Sequence, residues 1–283
     1  MSEARDIPLD QIDTLPDHPF QVRDDEEMDE LVESIRERGV IVPIIVRPKE
    51  DGRFEIVSGH RRRRACEILG METIPGEVRE MSRDEAIILM VDSNLHRSKI
   101  LPSEKAFSYR MRLEAMKRQG QRSDLTLSPV ATKLDSAAQI GEYSGESRDQ
   151  VFRFIRLTHL DRQLLDLVDE GKIALRPAVE LSYLNPYEQE ALVQTIESED
   201  ATPSHAQAIR MRKISEKGDL NIDRIFEILT EQKPNQKEKL TLPMERLQPF
   251  LPRNTTQERA VAFVMKAVEH YRAFLQKQKN RER

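Results

Sequence analysis

The sequence has little of several residue types, and each shortage excludes a class of protein. Its 283 residues contain no tryptophan and 38% hydrophobic residues, too little apolar surface for a large β-sandwich or barrel. The single cysteine, Cys66, excludes an internal disulfide and a cysteine-rich zinc site. No stretch approaches the roughly 18 apolar residues of a membrane span, and residues 1–13 lack the apolar core of a signal peptide. We therefore predict a cytoplasmic, mostly helical protein of two or three modest domains with no membrane partner.

The chain also lacks the positive charge of a protein that attracts nucleic acid with its whole surface. Charged residues make up 34% of the sequence, yet the formal net charge is −5. Arginine and lysine can still attract phosphate when they cluster on one face, because the field that a nucleic acid meets is local. Any nucleic-acid contact must therefore come from basic patches set against an acidic background.

The first hundred residues alternate between helical and extended patterns and predict an α+β domain with a small mixed sheet, residues 1–100. β-Branched runs favour strands, and a serine or aspartate followed three residues later by glutamate marks a helix start. The predicted elements are a helix from the Asp24–Glu27 capping box to Gly39, strands at 40–46 and 54–57, a helix at 60–69, an extended piece at 74–78 and a helix from Ser82 to Leu95.

Beyond residue 100 the apolar periodicity is helical and predicts an all-α region. Residues 101–195 are expected to form a helix-turn-helix domain with supporting helices, interrupted by a polar connector at 119–135. Residues 196–240 are charged and poorly patterned, apart from 222–229, and predict a linker or weakly ordered helices. The remainder, residues 241–283, is predicted to be a helical segment with its clearest helix at 258–276.

The segment from Ser58 to Ala65 is the most informative, because four consecutive arginines follow a predicted strand and a glycine. Gly59 at this junction lets the backbone approach a ligand closely, and the free N–H groups of a helix start favour an anion. Two or three of the guanidinium groups could grip a polyphosphate. The alternative, which the spacing leaves open, is a solvated basic face paired with Glu67 and nearby acids, since no Walker-type loop is present.

Three segments, in order, resemble motifs of the ParB family of DNA partition proteins. Gly59 to Ala65 is similar to the family's GERRxRA motif, with histidine at position 60 where the family has glutamate. His18 to Arg23 is similar to its NPxQPR segment, and Ser93 to Arg97 to its ENxxR motif. The resemblance covers roughly residues 5–190, and three ordered motifs are more specific than any one of them.

The resemblance implies a domain that binds CTP with Mg²⁺ and acts as a switch that closes a DNA clamp. The cofactor-binding residues that it implies are Gln21, Gly59, His60, Arg61, Arg62, Asn94 and Arg97, with Asn94 also on the metal. In the family, glutamates at the positions of His60 and Ser93 are linked with nucleotide hydrolysis. Their absence here leaves open whether the protein has even a weak CTPase activity.

Residues 136–157 have the pattern of a helix, a tight turn and a second helix that Ser147 and Gln150 cap. The resemblance places the family's DNA-reading element here. We expect Arg148 and Gln150 to read bases, and Arg153 and Arg156 to contact phosphates. An ordinary helical hairpin is the alternative, because four arginines and four acids give residues 136–162 no net charge.

The last predicted helix carries an apolar stripe that needs a partner, either a second copy or the same chain. The stripe is Val261, Val264, Val268, Tyr271 and Leu275, and Thr255 and Glu258 cap the helix. The family resemblance favours a homodimer, and a two-fold dimer implies an inverted-repeat DNA site. It also implies a ParA-type ATPase as partner and a nucleoid-associated location.

Two other function classes compete with a partition protein. A transcriptional regulator without clamp function would use the same helix-turn-helix. A thiol enzyme is the second alternative, because ParB-like domains resemble the sulfiredoxin fold. Here, however, Cys66 lies two turns beyond Gly59 and is expected to face the core, so its replacement by serine should change nothing. The sequence does not reveal the DNA site or the replicon served.

Overall fold

The computed structural model describes residues 4–95, 97, 100–123, 129–231 and 250–251, with short pieces of the C-terminal segment. For residues 120–123 and 129–135 only the backbone is described. The chain divides into two units, residues 1–231 and 232–283. No helix in the described part of the chain is long and apolar enough to cross a membrane.

The strands of the first unit form one mixed sheet in the order β1-β5-β3-β4-β2. The outer strand β2 runs parallel to β4, and β3 runs parallel to β5, while the β1–β5 and β3–β4 pairs are antiparallel. The strands are Arg5–Pro8 (β1), Ile12–Thr14 (β2), Ile44–Pro48 (β3), Phe54–Ser58 (β4) and Thr73–Val78 (β5). This sheet confirms the predicted α+β fold of the N-terminal region.

Helices Glu26–Arg38 (α1) and His60–Ile68 (α2) cover this sheet and bury their apolar residues in a core with Ile44, Ile56 and Ile74. The predicted Asp24–Glu27 capping box for α1 was wrong by one residue. Asp25 is the N-cap, and its carboxylate accepts a hydrogen bond from the Met28 amide at 3.0 Å. The carboxylate of Asp24 contacts Arg64 instead.

The rest of the first unit is helical, as predicted. A short 3-10 helix at Leu157–His159 follows α6. The helices are Arg83–Asn94 (α3), Pro102–Ser123 (α4), Pro129–Ser144 (α5), Arg148–Arg156 (α6), Arg162–Asp169 (α7), Leu175–Leu181 (α8), Pro186–Glu199 (α9), His205–Ser215 (α10) and Ile222–Thr230 (α11). Much of the predicted connector at 119–135 is therefore helix, because α4 and α5 extend into it from both sides; residues 124–128 lie outside the described residues.

One apolar core runs from Phe20 and Val57 in the α+β region to Leu229 in α11. Residues 205–230, for which the sequence predicts a linker or weakly ordered helices, form packed helices with Met211, Ile225 and Leu229 buried. The predicted linker residues 232–240 lie outside the described residues. The long helix α4 packs against α3, α5, α6 and α7, so it connects the α+β region to the helix-turn-helix.

In the second unit, the described residues between 259 and 272 are helical, where a helix is predicted. Val268 and Tyr271 of its predicted stripe are exposed. Val264 is half-buried, and the remaining predicted residues, Val261, Leu275, Thr255 and Glu258, lie outside the described residues.

Candidate nucleotide cleft and nucleic-acid interface

Gly59 joins β4 to α2 in a conformation that only glycine adopts easily. Its φ of 102° lies in the left-handed region, where a side chain is strained. A Cβ at this position would lie 2.7 Å from Cγ2 of Ile44 and 3.0 Å from Nη2 of Arg62. The close approach places the start of α2 against Ile44 of the sheet, and the anion-binding role of this junction stays a prediction.

The four arginines of α2 point to four different sets of partners. Arg61 pairs with Asp25 at 3.0 Å and Glu27 at 3.1 Å, and Arg64 pairs with Asp24 at 2.7 Å. The Nη1 group of Arg62 donates to the Val42 and Pro43 carbonyls, and burial lowers the pKa of this guanidinium. Nε of Arg63 lies 3.0 Å from Oε1 of Glu67, as an ion pair whose angle does not make a hydrogen bond. The acid-paired basic face, which the sequence left open as the alternative, is therefore the arrangement in this structure.

A cleft of about 720 Å³ lies beside the start of α2. Among the described residues that line it are Gln21, Arg61 and Arg97, which come from the three motif-like segments. Gly59 and Arg62 are not among the described lining residues, although both belong to the same helix start. The cleft therefore brings together part of the predicted nucleotide site.

Glu104 at the start of α4 is a cleft residue that the sequence analysis missed. Its carboxylate accepts hydrogen bonds from the amides of Gln21, at 2.9 Å, and Leu101, at 3.0 Å. It thereby holds the Gln21 segment against the N-terminus of α4. The acidic residue three positions after Leu101 was a usable signal for the helix cap. The contact with Gln21, 83 residues away, was not visible in the sequence.

Arg97, from the third motif-like segment, lines the cleft together with Arg61 of α2. Its Cζ lies 5.6 Å from the centre of the Phe20 ring, which gives the guanidinium an aromatic support. Burial lowers the pKa of Arg97, while Glu104 opposes that shift. The side chain remains a cation that faces the cleft without an ion pair to any described residue.

His60 is buried beside His18, with the ring centres 3.9 Å apart. Neither Nε2 atom has a hydrogen-bond partner in the described part of the chain. Burial lowers the pKa of His60 to about 3, and the neighbouring His18 lowers it further in the same direction. His60 is therefore a neutral imidazole, and no carboxylate stands at this position.

Asn94, the predicted metal ligand, is buried at the end of α3. Its amide nitrogen donates to the Met90 carbonyl at 2.7 Å, so the side chain is turned along its own helix. Within the described residues, no group of three or more histidine, cysteine, aspartate or glutamate side chains could hold a metal ion. Asn94 is not among the described residues that line the cleft, so it could hold Mg²⁺ only through its one amide oxygen, with water and nucleotide phosphates as the other ligands.

The thiol of Cys66 is fully buried in the core under α2. Burial raises its pKa, which keeps the thiol protonated and unreactive. This geometry does not support the thiol-enzyme alternative.

Helix α6 has the form predicted for a recognition helix. The Ser147 hydroxyl accepts a hydrogen bond from the Gln150 amide at 3.2 Å, and Val151 and Phe154 face the core. The preceding turn is tight: a Cβ on Gly141 would lie 2.5 Å from the Glu146 carbonyl oxygen. This close approach sets α5 against α6.

Three of the four predicted DNA-contacting side chains lie on the outer face of α6. Arg148 is exposed, with Cζ 5.6 Å from the Phe152 ring centre, and Arg153 lies 3.4 Å from the Gln150 amide oxygen. Arg156 differs, because its guanidinium donates to the hydroxyl and carbonyl oxygens of Ser182. Arg156 also stacks on the Tyr183 ring, with its Cζ 3.9 Å from the ring centre. These contacts hold Arg156 against the end of α8.

A further arginine that the sequence analysis missed, Arg110, lies beside the end of α6. Arg110 of α4 donates to the Thr158 hydroxyl at 3.3 Å. Burial lowers the pKa of the neighbouring His159, and the charges of Arg156 and Arg110 add to that effect. The positive side chains at this end of the helix are therefore Arg110 of α4 and Arg156 of α6, and the lowered pKa favours the neutral form of His159.

Comparison with known proteins assigns the family. The model of the ParB N-terminal domain matches residues 1–95. The chain is 30% identical over 217 residues to the probable chromosome-partitioning protein ParB of Pseudomonas putida. The matched region covers 77% of this chain and 69% of the relative. The chain belongs to the ParB family of chromosome-partitioning proteins.

Two solved structures of Caulobacter crescentus ParB, both C-terminally truncated, are also similar. One, complexed to the centromeric parS site, has 22% identity and a TM-score of 0.41, and covers 81% of this chain and 100% of that chain. The other, complexed with CTP-gamma-S, has 27% identity and a TM-score of 0.31, and covers 69% and 98% of the two chains. Because these TM-scores are low, the ParB assignment rests on the sequence relatives and not on superposition.

Proposed function

We propose that this ParB-family chain is a nucleotide-gated DNA-binding protein that marks a centromere-like inverted repeat and so contributes to chromosome or plasmid segregation. One observation carries the proposal. Gln21, Arg61 and Arg97 come from three motif-like segments that are distant in sequence, and they line a single cleft of about 720 Å³. A cleft of this volume and polarity suits a ligand of nucleotide size.

The cleft is proposed to take CTP. Arg61 and Arg97 supply positive charge for the phosphates, and the first amides of α2 supply hydrogen-bond donors. Gln21 offers an exposed amide at the rim, whereas Arg62 acts by holding Val42 and Pro43 under the helix start. Mg²⁺, with Asn94 as its protein ligand, would neutralise part of the phosphate charge.

The proposal concerns nucleotide binding and does not require hydrolysis. His60 is a buried neutral imidazole, and the hydroxyl of Ser93 donates to the Met90 carbonyl at 2.9 Å. Neither side chain offers the carboxylate that the family has at these positions. Occupancy of the cleft, and not turnover, is therefore the proposed signal.

Helix α6 is the proposed DNA reader. Arg148 and Gln150 lie in its first turn, where residues of a recognition helix reach base edges, and Arg153 lies one turn later as a phosphate contact. Arg156 holds the helix against Ser182 and is proposed to position α6. The inverted repeat requires a homodimer, and a ParA-type ATPase and a nucleoid location complete the proposed setting.

The test begins with isolation of the DNA fragments that the purified protein retains from its own genome. The recovered site is then titrated with and without CTP, ATP and GTP, each with Mg²⁺. A nucleotide-gated protein should change its DNA affinity with CTP and not with ATP or GTP. DNA binding that is tight but indifferent to every nucleotide would instead support the transcriptional regulator.

Replacement of Arg61 by glutamine tests whether the cleft is the nucleotide site. We expect the variant to keep its affinity for the DNA site, because Arg61 belongs to α2 and not to the proposed reading helix α6, but to lose the CTP effect. Equal responses of wild type and variant to CTP would contradict the proposed cleft.

A further inference from the structure

Four consecutive acids, Asp24 to Glu27, lie at the start of helix α1, and three of them pair with arginines of α2; we call the four the acidic start of α1. Asp25 and Glu27 hold the two terminal nitrogens of Arg61 at 3.0 and 3.1 Å. Asp24 holds Arg64 at 2.7 Å one turn further along α2. The side chains best suited to bind an external anion are therefore already bound to internal ones.

These ion pairs are exposed enough to exchange. The side chain of Arg61 is 27% exposed, that of Asp25 is 44% exposed and that of Glu27 is 73% exposed. Pairs with this exposure are individually weak, because water and salt screen them. An incoming phosphate can replace a carboxylate on Arg61 without opening the core.

The charge balance of the cleft points in the same direction. Among the described residues that line it, three are arginines and three carry carboxylates, namely Arg23, Arg61, Arg97, Asp25, Glu27 and Glu104. The cleft is thus electrically compensated before a ligand enters. Each carboxylate that stays beside a bound polyphosphate repels it, and the repulsion grows with the charge of the ligand.

We propose that the acidic start of α1 determines the affinity of the cleft by competing with ligand phosphates for Arg61. The proposal rests on the nucleotide cleft proposed above. Asp25 and Glu27 satisfy Arg61 in the unliganded protein, and a nucleotide binds only by displacing them. Their presence lowers affinity, so the cleft responds over a higher range of nucleotide concentration.

The test uses a double variant, Asp25→Asn with Glu27→Gln, that removes two charges and little else. Asp25 also caps α1, and asparagine caps a helix as well as aspartate does, so the fold should survive. Glu27→Gln alone is the second variant, because it leaves the cap untouched. The matched control is Asp29→Asn with Glu30→Gln, on the same helix, where neither side chain pairs with a cation in the described part of the chain.

Binding of CTP, CMP and inorganic tripolyphosphate, each with Mg²⁺, is measured by calorimetry, with thermal unfolding as the check on folding. We expect the double variant to bind CTP roughly threefold to tenfold more tightly than wild type. The gain should be smaller for CMP and should shrink as salt is added. The control variant should match wild type.

Two results would overturn the inference: equal affinities of the double variant and the control, or equal gains for CMP and CTP. If tripolyphosphate binds more tightly to the double variant while CTP binds to neither protein, the competition stands and the nucleotide proposal fails. If neither protein binds either triphosphate, both proposals fail.

Discussion

The arginines of α2 and those of α6 differ in what they contact. On α2, Arg61 and Arg64 are paired with the acidic start of α1. On α6, Arg148 and Arg153 are exposed and form no ion pair with any residue that the structure describes. An anion must therefore enter a compensated network at α2, whereas a DNA backbone could approach α6 directly.

The comparison shows that the ion pairs of the individual side chains, and not the net charge of a segment, determine which arginines are available to bind an anion. Residues 136–162 have no net charge, which favoured an ordinary hairpin in the sequence. In the fold, Glu146 forms an ion pair with Lys105 at 2.5 Å. Asp161 caps α7 by accepting a hydrogen bond from the backbone amide of Gln163. Glu146 and Asp161 are therefore used locally, whereas Asp149 remains exposed in the first turn of α6 beside Arg148.

The largest expected effect is in the α+β region and concerns the pH dependence of stability that the buried His60 causes. Its pKa is about 3 in the fold and 6.5 in an ordinary setting, so between these values the unfolded chain binds a proton that the folded chain does not. The free energy of unfolding should therefore fall as pH falls from 6.5 to 3, at a slope approaching about 1.4 kcal/mol per pH unit. Urea unfolding at a series of pH values measures it.

Replacement of His60 by glutamine should remove that part of the pH dependence, because the variant has no imidazole to protonate. His205→Gln, at the exposed start of α10, is the control and should retain the wild-type slope. Parallel pH profiles for wild type and His60→Gln would show that the imidazole is not buried as described.

The second effect tests the junction that forms the cleft. Gly59→Ala places a methyl group in the left-handed region and 2.7 Å from Ile44, so we expect the free energy of unfolding to fall by about 2 to 4 kcal/mol. Gly52→Ala is the matched control, because its φ is also positive but no atom lies within 4 Å of the added Cβ. Chemical denaturation of both variants separates steric overlap from backbone strain; equal losses would remove the argument for close approach.

The third effect is a loss of DNA sequence preference when Arg148 of α6 is replaced. Arg148→Ala should reduce the preference for the specific site over unrelated DNA by about 1 to 3 kcal/mol, because a base contact is lost. Arg162→Ala, an exposed arginine at the start of α7, is the control and should leave that preference unchanged. Competition binding with specific and scrambled duplexes measures the ratio. A uniform loss on both duplexes would make Arg148 a phosphate contact.

Local chemistry in the sequence predicted much of the fold, and distant contacts account for what it missed. The cap at Ser147 and the capping box at Ser82 depend on residues within three positions, and both were predicted correctly. The bond from Glu104 to Gln21 spans 83 residues, and that from Arg156 to Ser182 spans 26. Neither partner carries a sequence signal for the other, so the Glu104–Gln21 contact in the cleft and the anchor of α6 could not be predicted.

Packing also explains the elements that the sequence analysis underestimated. Helices α10 and α11 lie in the segment predicted as a linker or weakly ordered helices, yet Met211, Ile225 and Leu229 are buried and the two helices pack against α8 and α9. A poorly patterned segment becomes ordered when a neighbouring surface buries its few apolar side chains.

The smallest effect separates two arginines that the sequence treated alike. Arg153→Ala should weaken DNA binding and reduce the slope of log K against log salt by about 0.9, because one phosphate contact is lost, while stability stays unchanged. Arg156→Ala should instead lower the free energy of unfolding by about 1 to 2 kcal/mol, since it removes two hydrogen bonds to Ser182 and a stack on Tyr183. Salt titrations and urea unfolding of both variants distinguish the roles. If Arg156→Ala lowered the salt slope at unchanged stability, Arg156 would contact phosphate as the sequence predicted, and the anchor between α6 and α8 would have to lie in the apolar contacts beneath it.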